Sequence, residues 1–191
     1  MNILSLDVDH ISTYSLEIYN NTILGIKKEK NIEEDLDSDM YNVIKETLTK
    51  NGFIHYEVSN FCKNNYYSRH NLVYWKNQEY YGFGLGASGY VNNIRYDNTR
   101  SIKDYFNNKV VLNEEKINKK DQISYELILG FRLLKGINKE EFKKKYQEEL
   151  IDQYNIKDLI KKGYLIDDSE NIKVNEKYIY VENSILENFI D

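Results

Sequence analysis

A chain of 191 residues with 41% hydrophobic and 30% charged residues is long enough for one sizeable domain or two small ones, with apolar side chains sufficient for a core. Its 26 basic against 31 acidic residues leave a net charge of −5, which weighs against a general nucleic-acid binder, since phosphate neutralisation needs a positive face. One cysteine, Cys62, excludes an internal disulfide framework and a multi-cysteine metal site within a single chain. No run approaches the roughly eighteen apolar residues of a membrane helix, and Met1 to Asp7 shows no basic region followed by an apolar one. The expectation is a soluble, cytoplasmic protein. The absence of proline and the abundance of Asn, Lys, Ile and Tyr read as codon bias from an AT-rich genome, so the 18 tyrosines carry little functional weight.

Ile11 to Ile18 has the alternation and β-branched content of a strand. The polar stretch Asn20 to Asp37 that follows is long for a strand-to-helix loop. Ser38-Asp39 then cap a helix with Met40, Val43, Ile44 and Leu48 at helical spacing and Gly52 placed to end it. Phe53 to Val58 reads as the next strand. Strand, helix, strand is the order of an α/β unit with parallel strands. Asn60 to Asn77 is irregular, polar and aromatic, and Tyr80 to Tyr90 holds four of the nine glycines, so close backbone approach or positive φ is needed there. Tyr90 to Tyr96 reads as another short strand.

The character changes near residue 100. Asp121 to Leu134 is an amphipathic helix with Ile123, Leu127, Ile128, Phe131 and Leu134 on one side and Gly136 past its end. Lys139 to Tyr146 and Ile151 to Lys162 read as two more, the latter stopped by Gly163. Within the first of these, Lys143 to Lys145 lie among glutamates, a mixed solvated face rather than a basic patch. Tyr164 to Val174 reads as a strand, a polar turn and a strand, and a final helix runs from about Tyr178 to Ile190. Helices followed by a small hairpin suggest a winged-helix-like module. The expected domains are therefore residues 1–100 and 101–191.

Gly84-Leu85-Gly86-Ala87-Ser88-Gly89 matches GxGxxG, but no helical pattern opens on its last glycine, so a tightly packed segment competes with a dinucleotide site. His70-Asn71-Leu72-Val73-Tyr74-Trp75 says more. As a helix it puts His70 with Tyr74 on one face and Asn71 with Trp75 on an adjacent one. An imidazole, a phenol and an indole beside apolar side chains suit a flat, iron-bearing macrocycle, though a lone histidine among aromatics also reads as a packing residue. Glu57 ends its strand at the edge where α/β folds bind ligands, or caps the next loop; Cys62, His10 and His55 carry no clear assignment. There is no serine–histidine–acid motif, no HExxH and no P-loop.

Four segments, His10 to Leu16, Tyr56-Glu57-Val58-Ser59-Asn60-Phe61, Ser68 to Trp75, and Tyr81-Gly82-Phe83-Gly84-Leu85-Gly86-Ala87, occur in an order and at intervals that resemble the HemW group of radical SAM proteins, relatives of oxygen-independent coproporphyrinogen III oxidase. Glu126 to Gly136 and the hairpin-plus-helix ending resemble that family's C-terminal domain. The resemblance covers essentially the whole chain, and HNxxYW marks the haem-binding HemW group. It implies an α/β fold: the C-terminal portion of a partial (β/α) radical SAM barrel, then the mainly helical, winged-helix-like domain. It implies haem as ligand, with His70 as axial-ligand candidate for the iron and Asn71, Tyr74 and Trp75 shaping the pocket, and passage of haem to membrane-bound respiratory proteins.

The family's [4Fe–4S] cluster and S-adenosylmethionine sit on a CxxxCxxC motif in a half that this chain does not match. Cys62 alone cannot supply three thiolates, so the resemblance implies no S-adenosylmethionine cleavage by this chain, and a sheet edge open to self-association. Two readings compete with a haem-chaperone fragment. One is a fragment of the decarboxylating coproporphyrinogen III oxidase, against which HNxxYW argues. The other is a winged-helix nucleic-acid binder, against which the acidic charge argues.

Overall fold

A computed structural model describes residues 3–190, and the chain divides between Tyr67 and Ser68 into two compact units. Residues on either side of position 100 belong to one unit, because strands before and after it pair in the same sheet.

The first unit is a three-stranded antiparallel sheet with a helix. Strands β1 (His10–Ser12), β2 (Ile54–Glu57) and β3 (Asn60–Cys62) lie in the order β1-β3-β2. Both β1 and β2 run antiparallel to β3, so they point the same way but do not touch. The shared direction of β1 and β2 agrees with the parallel strands expected of an α/β unit, but the inserted β3 makes every pairing in the sheet antiparallel, and its three residues are too short for a periodic signal. A brief turn, α1 (Ile23–Ile26), precedes α2 (Glu34–Lys50). Helix α2 starts four residues before the expected Ser38 cap, with Glu34, Asp35 and Asp37 in its first turn, where carboxylates complement the positive end of the helix dipole. Leu48 and the partly buried Ile44 join Ile11, Phe53 and Phe61 in the core, whereas Met40 and Val43, expected on the same face, are exposed. The strand expected to Ile18 ends at Ser12: after one more backbone bond, from the Thr13 N–H to the Ser59 carbonyl at 2.8 Å, Tyr14, Leu16 and Tyr19 lie exposed and side chains hold the chain, with Ser15 Oγ donating to Asp37 and Asn31 accepting the Ile18 N–H.

The second unit begins with α3 (Arg69–Trp75) and continues into an antiparallel sheet of β4 (Ser88–Val91), β5 (Ile94–Asn98) and β6 (Val111–Lys116). Asn92 and Asn93, at φ 52° and 60°, form the two-residue turn between β4 and β5, a left-handed pair that asparagine tolerates. Strand β6, which the sequence pattern missed, is exposed along its length and so has no buried-side alternation to read. A short helix, α4 (Ile102–Phe106), links β5 to it.

Helices α5 (Lys119–Gly130), α6 (Lys139–Tyr146) and α7 (Ile156–Lys161) follow, with a second antiparallel sheet of β7 (Ile137–Asn138), β8 (Leu165–Asp167) and β9 (Asn171–Val174) in the order β7-β9-β8. The helix expected from Ile151 is a 3-10 turn at Leu150–Asp152 and then α7. The final helix is likewise broken into a 3-10 stretch, α8 (Glu182–Leu186) and a 3-10 turn at Glu187–Phe189. Leu127, Phe131, Phe142, Ile156, Ile172 and Phe189 are fully buried, with the Phe131 and Phe189 rings stacked at 5.4 Å. Among the described residues no helix is long and apolar enough to cross a membrane.

Candidate functional site

Helix α3 exists because Ser68, in an extended conformation, accepts the Asn71 N–H on its hydroxyl at 3.3 Å, and Lys76 and Asn77 close the other end on the Leu72 and Tyr74 carbonyls. Its seven residues are HNxxYW plus the preceding Arg69. The i,i+4 spacing brings His70 and Tyr74 together on the solvent side: Nε2 lies 3.2 Å from the phenol oxygen and the rings meet edge to face with centroids 4.9 Å apart. His70 is exposed and Tyr74 half-buried.

Trp75 takes a different direction. The Arg132 guanidinium, just past α5, lies 5.6 Å from the centre of its ring, and the indole N–H is buried without an acceptor. Arg132 is itself held by the buried Glu182 carboxylate at 3.0 Å and by the Asn183 side chain at 3.0 Å. The structure therefore brings His70 and Tyr74 together and puts Trp75 on the packed side of the same helix, with Asn71 half-buried between.

Beyond α3, the buried Asn77 adopts φ 45° and turns the chain back. Its side chain accepts from Arg95 at 3.0 Å and donates to the Gln122 carbonyl at 3.3 Å. Lys145 from α6 donates to the Asn77 carbonyl at 3.3 Å and to Glu126 at 2.5 Å, and Glu126 also accepts from the Tyr146 hydroxyl at 2.9 Å. Burial, reinforced by the Glu126 carboxylate, pushes the Tyr146 phenol far above its ordinary value, so it stays a donor. None of Asn77, Arg95, Arg132 and Lys145 stands out in the sequence; an asparagine just after a helix, where left-handed backbone is tolerated, is the one signal that could have found the first of them.

The glycine-rich segment is a packed loop. The Asn98 amide donates to the Gly82 and Gly84 carbonyls at 3.1 and 2.9 Å, the Gly82 N–H donates to the Tyr96 hydroxyl at 2.9 Å, and a side chain at Gly89 would collide with the Tyr96 ring. GxGxxG leads into strand β4 rather than a helix, so the dinucleotide geometry is not formed. Beside it, Tyr80, Arg95, Tyr96, Asp97, Glu115 and Tyr125 are among the residues lining an open cavity of about 410 Å³.

In the first unit, His10 Nε2 lies 2.8 Å from the Tyr56 hydroxyl, and burial lowers the His10 pKa. Asn60 donates to the buried Glu57 and accepts from Ser12, which gives Glu57 a loop-fastening role beside any ligand role. His55 stacks on Phe61 at 4.3 Å. Cys62 is buried, which raises its thiol pKa and makes it a poor nucleophile. Among the described residues no group of three or more His, Cys, Asp or Glu side chains is arranged to hold a metal ion.

Comparison with known proteins fixes the lineage. Residues 117–180 match the model of the HemN C-terminal domain. The heme chaperone HemW of Lactococcus lactis is 36% identical over 197 residues, covering 98% of this chain and 52% of that protein; HemW of Bacillus subtilis is 34% identical over 179 residues, covering 88% and 47%. The chain belongs to the HemW family. It spans about half the length of the curated HemW relatives it matches. The fold agrees with that of the radical SAM enzyme coproporphyrinogen III oxidase (HemN) from Escherichia coli, with a TM-score of 0.74 over 98% of this chain and 49% of that one, at 14% identity.

Proposed function

We propose that this chain is the haem-binding half of a HemW-type haem chaperone, with haem as its cargo. The observation that carries the reading is the exposed His70–Tyr74 pair on α3, in a chain whose relatives are named as haem chaperones. His70 is exposed, so its imidazole can reach the iron once Nε2 exchanges its 3.2 Å contact with the Tyr74 hydroxyl for the metal, and Tyr74 stands beside it to cover the ring. Asn71 and Trp75 shape the pocket from the inner side of the helix, Trp75 by fixing the helix through Arg132. The donor set fits haem; it does not fit an iron–sulfur cluster, because one buried cysteine cannot replace three thiolates. The [4Fe–4S] cluster and S-adenosylmethionine belong to the whole family protein, and this chain cleaves no S-adenosylmethionine.

In this reading residues 1–100 derive by lineage from the end of a (β/α) barrel and residues 101–191 from the winged-helix-like domain, a division of ancestry that differs from the compact units, which part between Tyr67 and Ser68. The protein works in the cytoplasm and hands haem to membrane-bound respiratory proteins. The outer edges of β1 and β2, each paired only with β3 among the described strands, offer a route to self-association. The test is a haem titration followed in the Soret region on this chain and on His70→Ala. A saturable band that the variant loses supports the reading; equal or unsaturable uptake by both proteins sinks it, since apolar surfaces take up haem unspecifically.

A further inference from the structure

We infer that Tyr80, outside HNxxYW, is a third wall of the tetrapyrrole-binding face, and that it covers the macrocycle in the way the motif alone would give to Trp75. The inference rests on the haem reading above and adds a contact residue to it. Tyr80 returns to α3 because of the Asn77 turn and is fixed there by two backbone bonds with Tyr90, at 2.8 and 2.9 Å. Its ring meets that of Tyr74 edge to face, centroids 4.6 Å apart, as Tyr74 meets His70 at 4.9 Å. His70, Tyr74 and Tyr80 thus form a continuous aromatic ladder, and each step presents either a ring face or a ring edge to a flat apolar ligand.

Trp75 is placed differently. One side of its indole is taken by Arg132, and its N–H lies out of reach of solvent. Tyr80 is half-buried, and its far side opens on the 410 Å³ cavity. The carboxylates Asp97, Glu114 and Glu115 on that cavity outnumber the one cation, Arg95, so the propionates of a tetrapyrrole are turned away from it. The ring system then lies along the ladder with its carboxylates directed to solvent.

Ligation by iron and contact with aromatic rings separate when the iron is removed. Haem and iron-free protoporphyrin IX are titrated into the full chain, Tyr80→Leu, Tyr80→Phe and His70→Ala, with the emission of Trp75 and the unfolding midpoint as checks that each variant is folded. Tyr80→Leu is expected to weaken both ligands roughly two- to tenfold, Tyr80→Phe to bind both as the parent does, and His70→Ala to lose the haem band while keeping the iron-free porphyrin. Equal affinity of the parent and Tyr80→Leu for protoporphyrin IX overturns the Tyr80 wall while leaving His70 ligation standing. A Tyr80→Phe loss as large as that of Tyr80→Leu overturns it too, because the ring would not be what binds. A parent chain that takes up neither ligand saturably defeats the haem reading itself and the wall with it.

Discussion

Replacing Asn77 by alanine tests whether the attitude of the His70 helix is set from its C-terminal end. Asn77 is 5% exposed and stands at φ 45°. Alanine removes one charge-assisted bond from Arg95 and one neutral bond to the Gln122 carbonyl, losses of about 1.5–3 and about 0.5–1.5 kcal/mol. It also carries a left-handed backbone penalty of about 1 kcal/mol that asparagine partly avoids. Arg95 is held between rings, its guanidinium 4.5 Å over Tyr90 and 3.9 Å over Tyr125 with its Nε–H buried without an acceptor, although it also lines the open cavity with Asp97, Glu114 and Glu115, which can take up part of the lost bond. Since water can replace part of these bonds, we expect a loss of about 3 kcal/mol for Asn77→Ala. Asn77→Gly loses the same side-chain bonds but not the backbone penalty, and should be more stable than alanine by about 1 kcal/mol. Urea unfolding followed by the emission of Trp75, the chain's single tryptophan, reads both variants from the same helix. An alanine variant within about 0.5 kcal/mol of the parent, or a glycine variant less stable than the alanine one, would refute the clamp.

Two further outcomes follow from single sites. Burial lowers the pKa of His10 below its ordinary 6.5, so the unfolded chain binds the proton more readily; the stability it contributes is present above pH 6.5 and is lost as the pH falls towards the folded value. Hydrogen exchange of the β1–β3 amides should therefore accelerate between pH 7.5 and 5.5, after correction for the intrinsic rate, and His10→Gln should flatten that slope; an unchanged slope removes His10 from the account. Gly136 stands at φ 72° against the Ile172 carbonyl and the Lys173 backbone, where an added Cβ collides with both, so Gly136→Ala should cost about 2–4 kcal/mol; a thermal midpoint equal to the parent's would show that the β7–β9 packing yields freely.

The helices of the second unit were legible wherever one amphipathic face and a local stop coincide. Lys139–Tyr146 was bounded as found, and α5 was found with its core residues Ile123 and Leu127 buried and its end displaced from Leu134 to Gly130. Asn138 helps explain α6, since its side chain accepts the Glu141 N–H at 3.0 Å. The first unit was less legible because its sheet is built from strands of three and four residues, and because α2 carries apolar residues on two faces. Ile44 and Leu48 point to the core while Leu36, Met40 and Val43 remain exposed, so periodicity alone could not say which set is buried. Strand β6 failed for the opposite reason: nothing along it is buried, and its place is set by pairing with β5.

For the site, the sequence supplied whatever a helix repeats locally. His70 and Tyr74 are four residues apart, so any helix there unites them, and the Ser68 cap makes that helix. What the spacing could not supply is the partner of each face. Helical geometry puts Trp75 beside Asn71, but only the packing of α5 and α8, through Arg132 and Glu182, turns that face inward. Tyr80 was invisible as a neighbour of Tyr74 because the contact depends on one left-handed residue, Asn77, and on a bridge to Tyr90 ten positions further on. If the two faces of α3 are divided in this way, alteration at Arg132 and alteration at Tyr80 should act differently: the first loosens the helix and shifts Trp75 emission without ligand, whereas the second leaves the ligand-free emission in place and changes only what binds. Coincident effects of the two would mean that α3 has one undivided face.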